Sequence, residues 1–178
     1  MTLAPKGPLI LGIHPCARGL GWAAFSDPFA VRHHGVYRVG RKNKSASCLK
    51  KVAWLFGRVQ PEVLVLEAFD TESSLRSQRI RKLCLDIVNL AADCGIEVVV
   101  YRRGEVQDAF RILEARTREE IAEAVARHVS ALAPYLPGKR KEWVGEDKRL
   151  ARFCAAALVL THYHFEARQF LDGLRDTA

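Results

Sequence analysis

Apolar positions fall into short continuous runs early in the chain and into helical spacing later. Residues 9–13 are apolar, a polar break with His14, Pro15, Cys16, Ala17 and Arg18 follows, and residues 20–25 are apolar again. Two such runs around a short turn predict a hairpin. The segment "HHGVYRV" at 33–39 alternates in part and predicts a third strand. Leu49, Val52, Ala53, Phe56 and Val59 recur at helical spacing and predict a helix over 46–59. The run "VLVLE" at 63–67 reads as a buried parallel strand that ends on Glu67. A polar loop over 68–75 leads to a predicted helix over 75–94, capped by Gly95, and then to a second buried strand, "IEVVVY". Two short helices are expected over 105–114 and 118–132, the second opened by a Thr117–Glu120 capping box. A loop rich in Pro, Gly, Lys and Arg precedes a long final helix expected over 146–171. The predicted order is β-β-β-α-β-α-β-α-α-α, with no repeats and no linker. Residues 1–178 are therefore expected to form a single α/β domain, with a mixed sheet flanked by helices.

Charge adds a partner class to this picture. The 178 residues carry a formal net charge of +8, which favours a polyanion, nucleic acid above all, over a small neutral ligand. Hydrophobic residues make up 49% of the chain, enough for a packed core. The five cysteines, at 16, 48, 84, 94 and 154, form no CxxC pair, and most are expected to be small core residues. There is no signal-peptide pattern and no apolar run near the length of a membrane span. The expectation is a cytoplasmic protein with reduced thiols and no membrane partner.

Three segments carry a specific resemblance: "ILGIHPCARGLGWAAF" at the start, "PEVLVLEAF" in the middle and "RFCAAALVLTHYH" in the last helix, with "RRGEVQDAF" after the fifth strand in support. Their order and content resemble the RuvC family of Holliday-junction resolvases, a branch of the RNase H-like fold, over about residues 9–164. The resemblance implies an RNase H-like, mixed five-stranded sheet: an antiparallel β1-β2-β3 meander plus parallel strands, flanked by helices. It also implies a homodimer and a nuclease that uses Mg²⁺ or Mn²⁺. Phosphodiester hydrolysis by two such ions about 4 Å apart needs several carboxylates to hold them. The family places an Asp at the end of the first strand, a Glu at the end of the fourth and Asp residues on the last helix.

Carried over position by position, the Glu is matched by Glu67. The first Asp falls on His14, and those of the last helix fall on Ala151 and Cys154. Three of the four expected carboxylates are absent, so paired Mg²⁺ or Mn²⁺ ions are not expected. Glu146 and Asp147 are candidate substitutes. Asp147 lies seven residues before Cys154, a rise of about 10.5 Å on the same helix face. Helix capping is the ordinary role for both acids.

His14, Glu67 and Cys154 are also the ligand types of zinc, and Cys16 or His162 would be a fourth, so a single Zn-like ion is one reading of the altered site. Loss of function at His14 and Cys154 without any replacement is the other. His162 and His164 do not share a helix face; one is expected to pack and the other to face solvent.

Candidate phosphate contacts are Arg76, Arg79, Arg81 and Lys82 after the Glu67 strand, and Lys139, Arg140 and Lys141 in the late loop. Solvated surface is the ordinary role of such clusters. Phe69 is either an aromatic wedge at a junction or a buried anchor for its loop. The leading function is binding of branched or double-stranded DNA, or other structured nucleic acid, with the nuclease site degenerate. One alternative is an active metal-dependent endonuclease with a rearranged site of Glu67, Glu146, Asp147 and Asp70. The other is a protein-interaction module that retains only the scaffold.

Overall fold

A computed structural model of the chain describes residues 7–69, 76–138 and 149–176. The first three strands, β1 (Ile10–Cys16), β2 (Gly19–Asp27) and β3 (Ala30–Arg38), form an antiparallel meander. Helix α1 (Lys44–Val59) leads to β4 (Val63–Glu67), and α2 (Gln78–Asp93) leads to β5 (Glu97–Tyr101). Helices α3 (Arg103–Phe110), α4 (Arg118–His128) and α5 (Leu150–Asp176) complete the chain, with short 3₁₀ turns at Arg111–Leu113 and Ser130–Tyr135. The sheet order is β3-β2-β1-β4-β5, with β4 parallel to β1 and β5 parallel to β4. This is the mixed five-stranded sheet expected from the sequence. Among the described residues no helix is long and apolar enough to cross a membrane.

Strand parity divides the core in two. Leu11, Ile13, Leu64 and Leu66 face α1 and α2, where Val52, Leu55, Leu83 and Ile87 close the layer. Ile10, Phe25 and Val65 face α4 and α5, against Val125, Phe153 and Leu158. By the same alternation, His14 on β1 and Glu67 on β4 fall on the α5 side. The β1–β4 register pairs Gly12 with Val65. Two residues further on, it sets His14 beside Glu67 at the carboxyl ends of adjacent parallel strands, where open α/β sheets place their ligands.

The helix ends depart from expectation by a few residues. Helix α2 starts at Gln78, after Ser77, whose hydroxyl accepts the Ile80 N–H at 3.4 Å. Its end follows the sequence: Gly95 is left-handed (φ 69°), and the Ile96 N–H bonds the Ala91 carbonyl at 2.9 Å, a Schellman termination. Thr117 and Glu120 form the expected capping box. The final helix is described from Leu150 and extends to Asp176, five residues past the expected end. Cys48 and Cys84 are buried, Cys16 and Cys154 half-buried and Cys94 exposed, so fewer cysteines are core residues than expected.

Helix α5 rests directly on strand backbone. A Cβ at Gly12 would collide with the Ala155 carbonyl, and a Cβ at Gly21 with the Ala151 carbonyl. Gly21 is the cross-strand partner of His14. The two glycines therefore hold the start of α5 close to the end of β1. Gly21→Ala is expected to push α5 off the sheet and to lower stability by about 1–3 kcal/mol, the usual cost of overpacking a core. Urea denaturation checks this, with Gly57→Ala, where an added Cβ meets nothing within 4 Å, as the tolerated comparison.

Candidate functional site

His14 and Glu67 meet as strand parity requires, 3.7 Å apart from Nδ1 to Oε2. A third group lies between them. The Arg76 guanidinium, reaching in from just before α2, donates to Glu67 Oε2 at 3.1 Å and to the Pro15 carbonyl at 3.2 Å. The same Arg76 nitrogen that bonds Glu67 is 3.3 Å from His14 Nδ1. A guanidinium has no acceptor, so Nδ1 must accept, which puts the imidazole proton on Nε2. His14 is 4% exposed. Its basicity is held well below the ordinary value by burial first, then by the charges of Arg76, Arg118 and Arg103. The ring is therefore neutral, and the cluster is one carboxylate paired with one guanidinium. Cys84, buried on α2, has its thiol pushed up to about 11, chiefly by burial and against the opposing charge of Arg76.

Glu67 and Cys154 line the same cavity, so the strand end and the last helix do converge. The rest of its polar lining was not foreseen from the sequence: Arg103, Gln107, Arg116 and Arg118. Arg103 opens α3 and Arg118 opens α4. The local signals are an Arg-Arg pair directly after β5 and two arginines flanking the Thr117 cap. Ala151 is buried against Gly21.

Several expected roles change with this geometry. Arg76, read as a phosphate contact on a groove, turns inward, because Glu67 and the Pro15 carbonyl offer it partners that water would otherwise replace. Arg79 donates to the Ala17 carbonyl at 3.2 Å and Arg81 to the Arg76 carbonyl at 3.2 Å, while exposed Lys82 pairs with Asp86 at 3.0 Å. Arg79, Arg81 and Lys82 still line an open groove with Phe69, which is half-buried against the α1/α2 core as a loop anchor.

Among the described residues no group of three or more His, Cys, Asp and Glu is placed to hold a metal ion. His14, Glu67 and Cys154 thus do not form the zinc site considered above. An arginine nitrogen lies between the first two, and cations line the space beside the third. His162 stands eight residues beyond Cys154 on α5, about 12 Å along the helix, and its Nδ1 is 2.9 Å from the Tyr101 hydroxyl. His162 is buried and His164 exposed, as expected. Asp70, Lys139, Arg140, Lys141, Glu146 and Asp147 lie outside the described residues. A pair of Mg²⁺ ions does not fit the described donors, which offer one carboxylate already bonded to a guanidinium.

The neutral state of His14 links stability to pH. Its folded pKa lies below the unfolded value of about 6.5, so the unfolded chain binds the extra proton. This contribution to stability is present above about pH 6.5 and is lost as pH falls below it, with a slope of at most about 1.4 kcal/mol per pH unit. Urea titrations between pH 7.5 and 5 are expected to show this loss, and His14→Gln to flatten it; an unchanged slope in the variant would place the dependence elsewhere.

The sequence matches no protein-family model and no curated protein. Solved structures do match. RuvC of Thermus thermophilus aligns with a TM-score of 0.64 and 18% identity, covering 90% of this chain and 96% of RuvC. The same enzyme in complex with a Holliday junction substrate aligns at 0.64 and 17%, again over 90% and 96%. The yeast mitochondrial Holliday junction resolvase Ydc2 aligns at 0.58 and 15%, covering 94% of this chain and 86% of Ydc2. The chain has the RuvC-like resolvase fold, the RNase H-like architecture that its three motifs resemble.

Proposed function

We propose that the chain binds branched DNA as a RuvC-like protein whose two-metal nuclease site is disabled. The observation that carries this reading is Arg76, bonded to Glu67 and next to His14 where the fold's metal-binding carboxylates are expected. Hydrolysis by paired metal ions needs concentrated negative charge. Here a divalent cation meets guanidinium groups instead. At about 5 Å and an effective dielectric of about 20, each guanidinium opposes such an ion by on the order of 6 kcal/mol. The partner class is supported by the net charge of +8 and by the similarity to RuvC, which has been solved with a Holliday junction. A homodimer belongs to the same reading, since two copies of one surface suit the near-symmetry of a four-way junction.

The test is binding and cleavage of a four-way DNA junction. Binding in EDTA is expected, with affinity falling about 10³-fold between 50 and 200 mM salt if roughly six phosphates are contacted. No cleavage is expected in Mg²⁺ or Mn²⁺. Cleavage abolished by Glu67→Gln would instead establish the rearranged endonuclease, with Glu146, Asp147 and Asp70 the next residues to change. Failure to bind any junction or duplex at 50 mM salt would leave the scaffold as a protein-interaction module.

A further inference from the structure

We infer that the cavity between β4, α3, α4 and α5 is a phosphate site, in which Arg103 and Arg116 hold a backbone phosphodiester of the bound DNA directly, without a metal ion. The inference rests on the DNA-binding reading above and adds where, and by what chemistry, one phosphate is held.

The charges of the lining carry the argument. Among the described residues Glu67 is its acidic member and is ion-paired with Arg76 at 3.1 Å, while Arg103, Arg116 and Arg118 are positive. Three guanidinium groups around one cavity match an anion with several acceptor oxygens, and arginine meets such oxygens in pairs through its planar fork. The charges of Arg118 and Arg103 also disfavour protonation of the buried His14 ring. Gln107 faces the cavity and is oriented by the bond from its Nε2 to the Arg116 carbonyl, 3.0 Å.

Size selects the ligand. The cavity volume is about 40 Å³, room for about three water-sized groups. Such a space takes the non-bridging oxygens of a phosphodiester. The remaining lining, with Val106, Ile121 and Leu158, is apolar. It lowers the local dielectric and strengthens each charge-assisted bond.

Glutamate caps already take part of the helix N-terminal donor set. The Arg102 N–H is taken by the Glu105 carboxylate at 2.6 Å, and the Arg116 and Thr117 N–H groups by Glu120 at 2.8 and 2.9 Å. These glutamates cap α3 and α4, and the guanidinium groups are the charged donors of the described lining. Neither Arg103 nor Arg116 is buried, so both can be truncated without opening the core.

The test uses the full chain in EDTA. Anisotropy with a labelled four-way junction compares the wild type with Arg103→Ala, Arg116→Ala and the double variant, and with Arg168→Ala, an exposed cation far along α5, as control. Each cavity variant is expected to bind about 10-fold more weakly and to lower the salt slope by about 0.9, with the control unchanged. Occupancy is read at Cys154, a thiol of the cavity wall: saturating junction is expected to slow its alkylation by iodoacetamide, followed by mass spectrometry, at least about 10-fold. Wild-type junction affinity in the double variant, with Cys154 as reactive in the complex as in the unbound protein, would overturn the phosphate site and leave the DNA-binding reading standing. Protection of Cys154 by inorganic phosphate but not by the junction would assign the cavity to a small anion and overturn the inference as well. Absence of junction binding by the wild type would overturn both.

Discussion

Helix α5 can lie on β1 and β2 only because Gly12 and Gly21 present no side chain to it. This close approach of helix to strand backbone sets the position of every other part of the site. It puts Ala151 against the cross-strand partner of His14 and carries Cys154 to the cavity that Glu67 lines. With α5 held there, α4 joins the same core through Val125 and α3 through Ala109 and Phe110. The arginines that open those two helices then have one direction in which to gather, over the end of β4. A sheet that met α5 through ordinary side chains would stand farther from it, and the cavity would be a broad cleft.

Within that frame, electrostatics decides what the site can hold. A buried carboxylate with no partner would be costly, and so would a buried guanidinium. Arg76 and Glu67 remove both costs by pairing, with the Pro15 carbonyl taking a further donor. His14 fits beside them as a neutral acceptor and adds no charge. The ends of the strands are thereby close to neutral, while the walls contributed by α3 and α4 are cationic.

Much of this was legible in the chain. Continuous apolar runs located β1, β2, β4 and β5, and alternation along β1 and β4 predicts that His14 and Glu67 share a face. The helix starts were less legible, because Ser77 and the residues before Leu150 stand in polar stretches where several positions serve as caps. The inward turn of Arg76 was hidden for a related reason. A cation in a polar loop looks solvated, and only the fold reveals that a carboxylate from a distant strand lies within its reach. Arg103, Arg116 and Arg118 escaped notice because the cavity draws on widely separated segments, and no local spacing records a meeting of that kind.

The pairing of Arg76 with Glu67 also constrains the order in which this site can change over time. With Arg76 present, position 14 tolerates either an acid or a neutral ring, since the guanidinium can balance one carboxylate or share itself between two. Without it, Glu67 would sit 3.7 Å from an uncharged imidazole and lose its directly bonded cation. Arg76 is therefore a permissive residue. A chain that keeps it can vary the acids around it one at a time, whereas a chain that discards it first leaves Glu67 without its bonded partner. Building a metal-binding site here would follow the same order, with new acids in place before the arginine leaves.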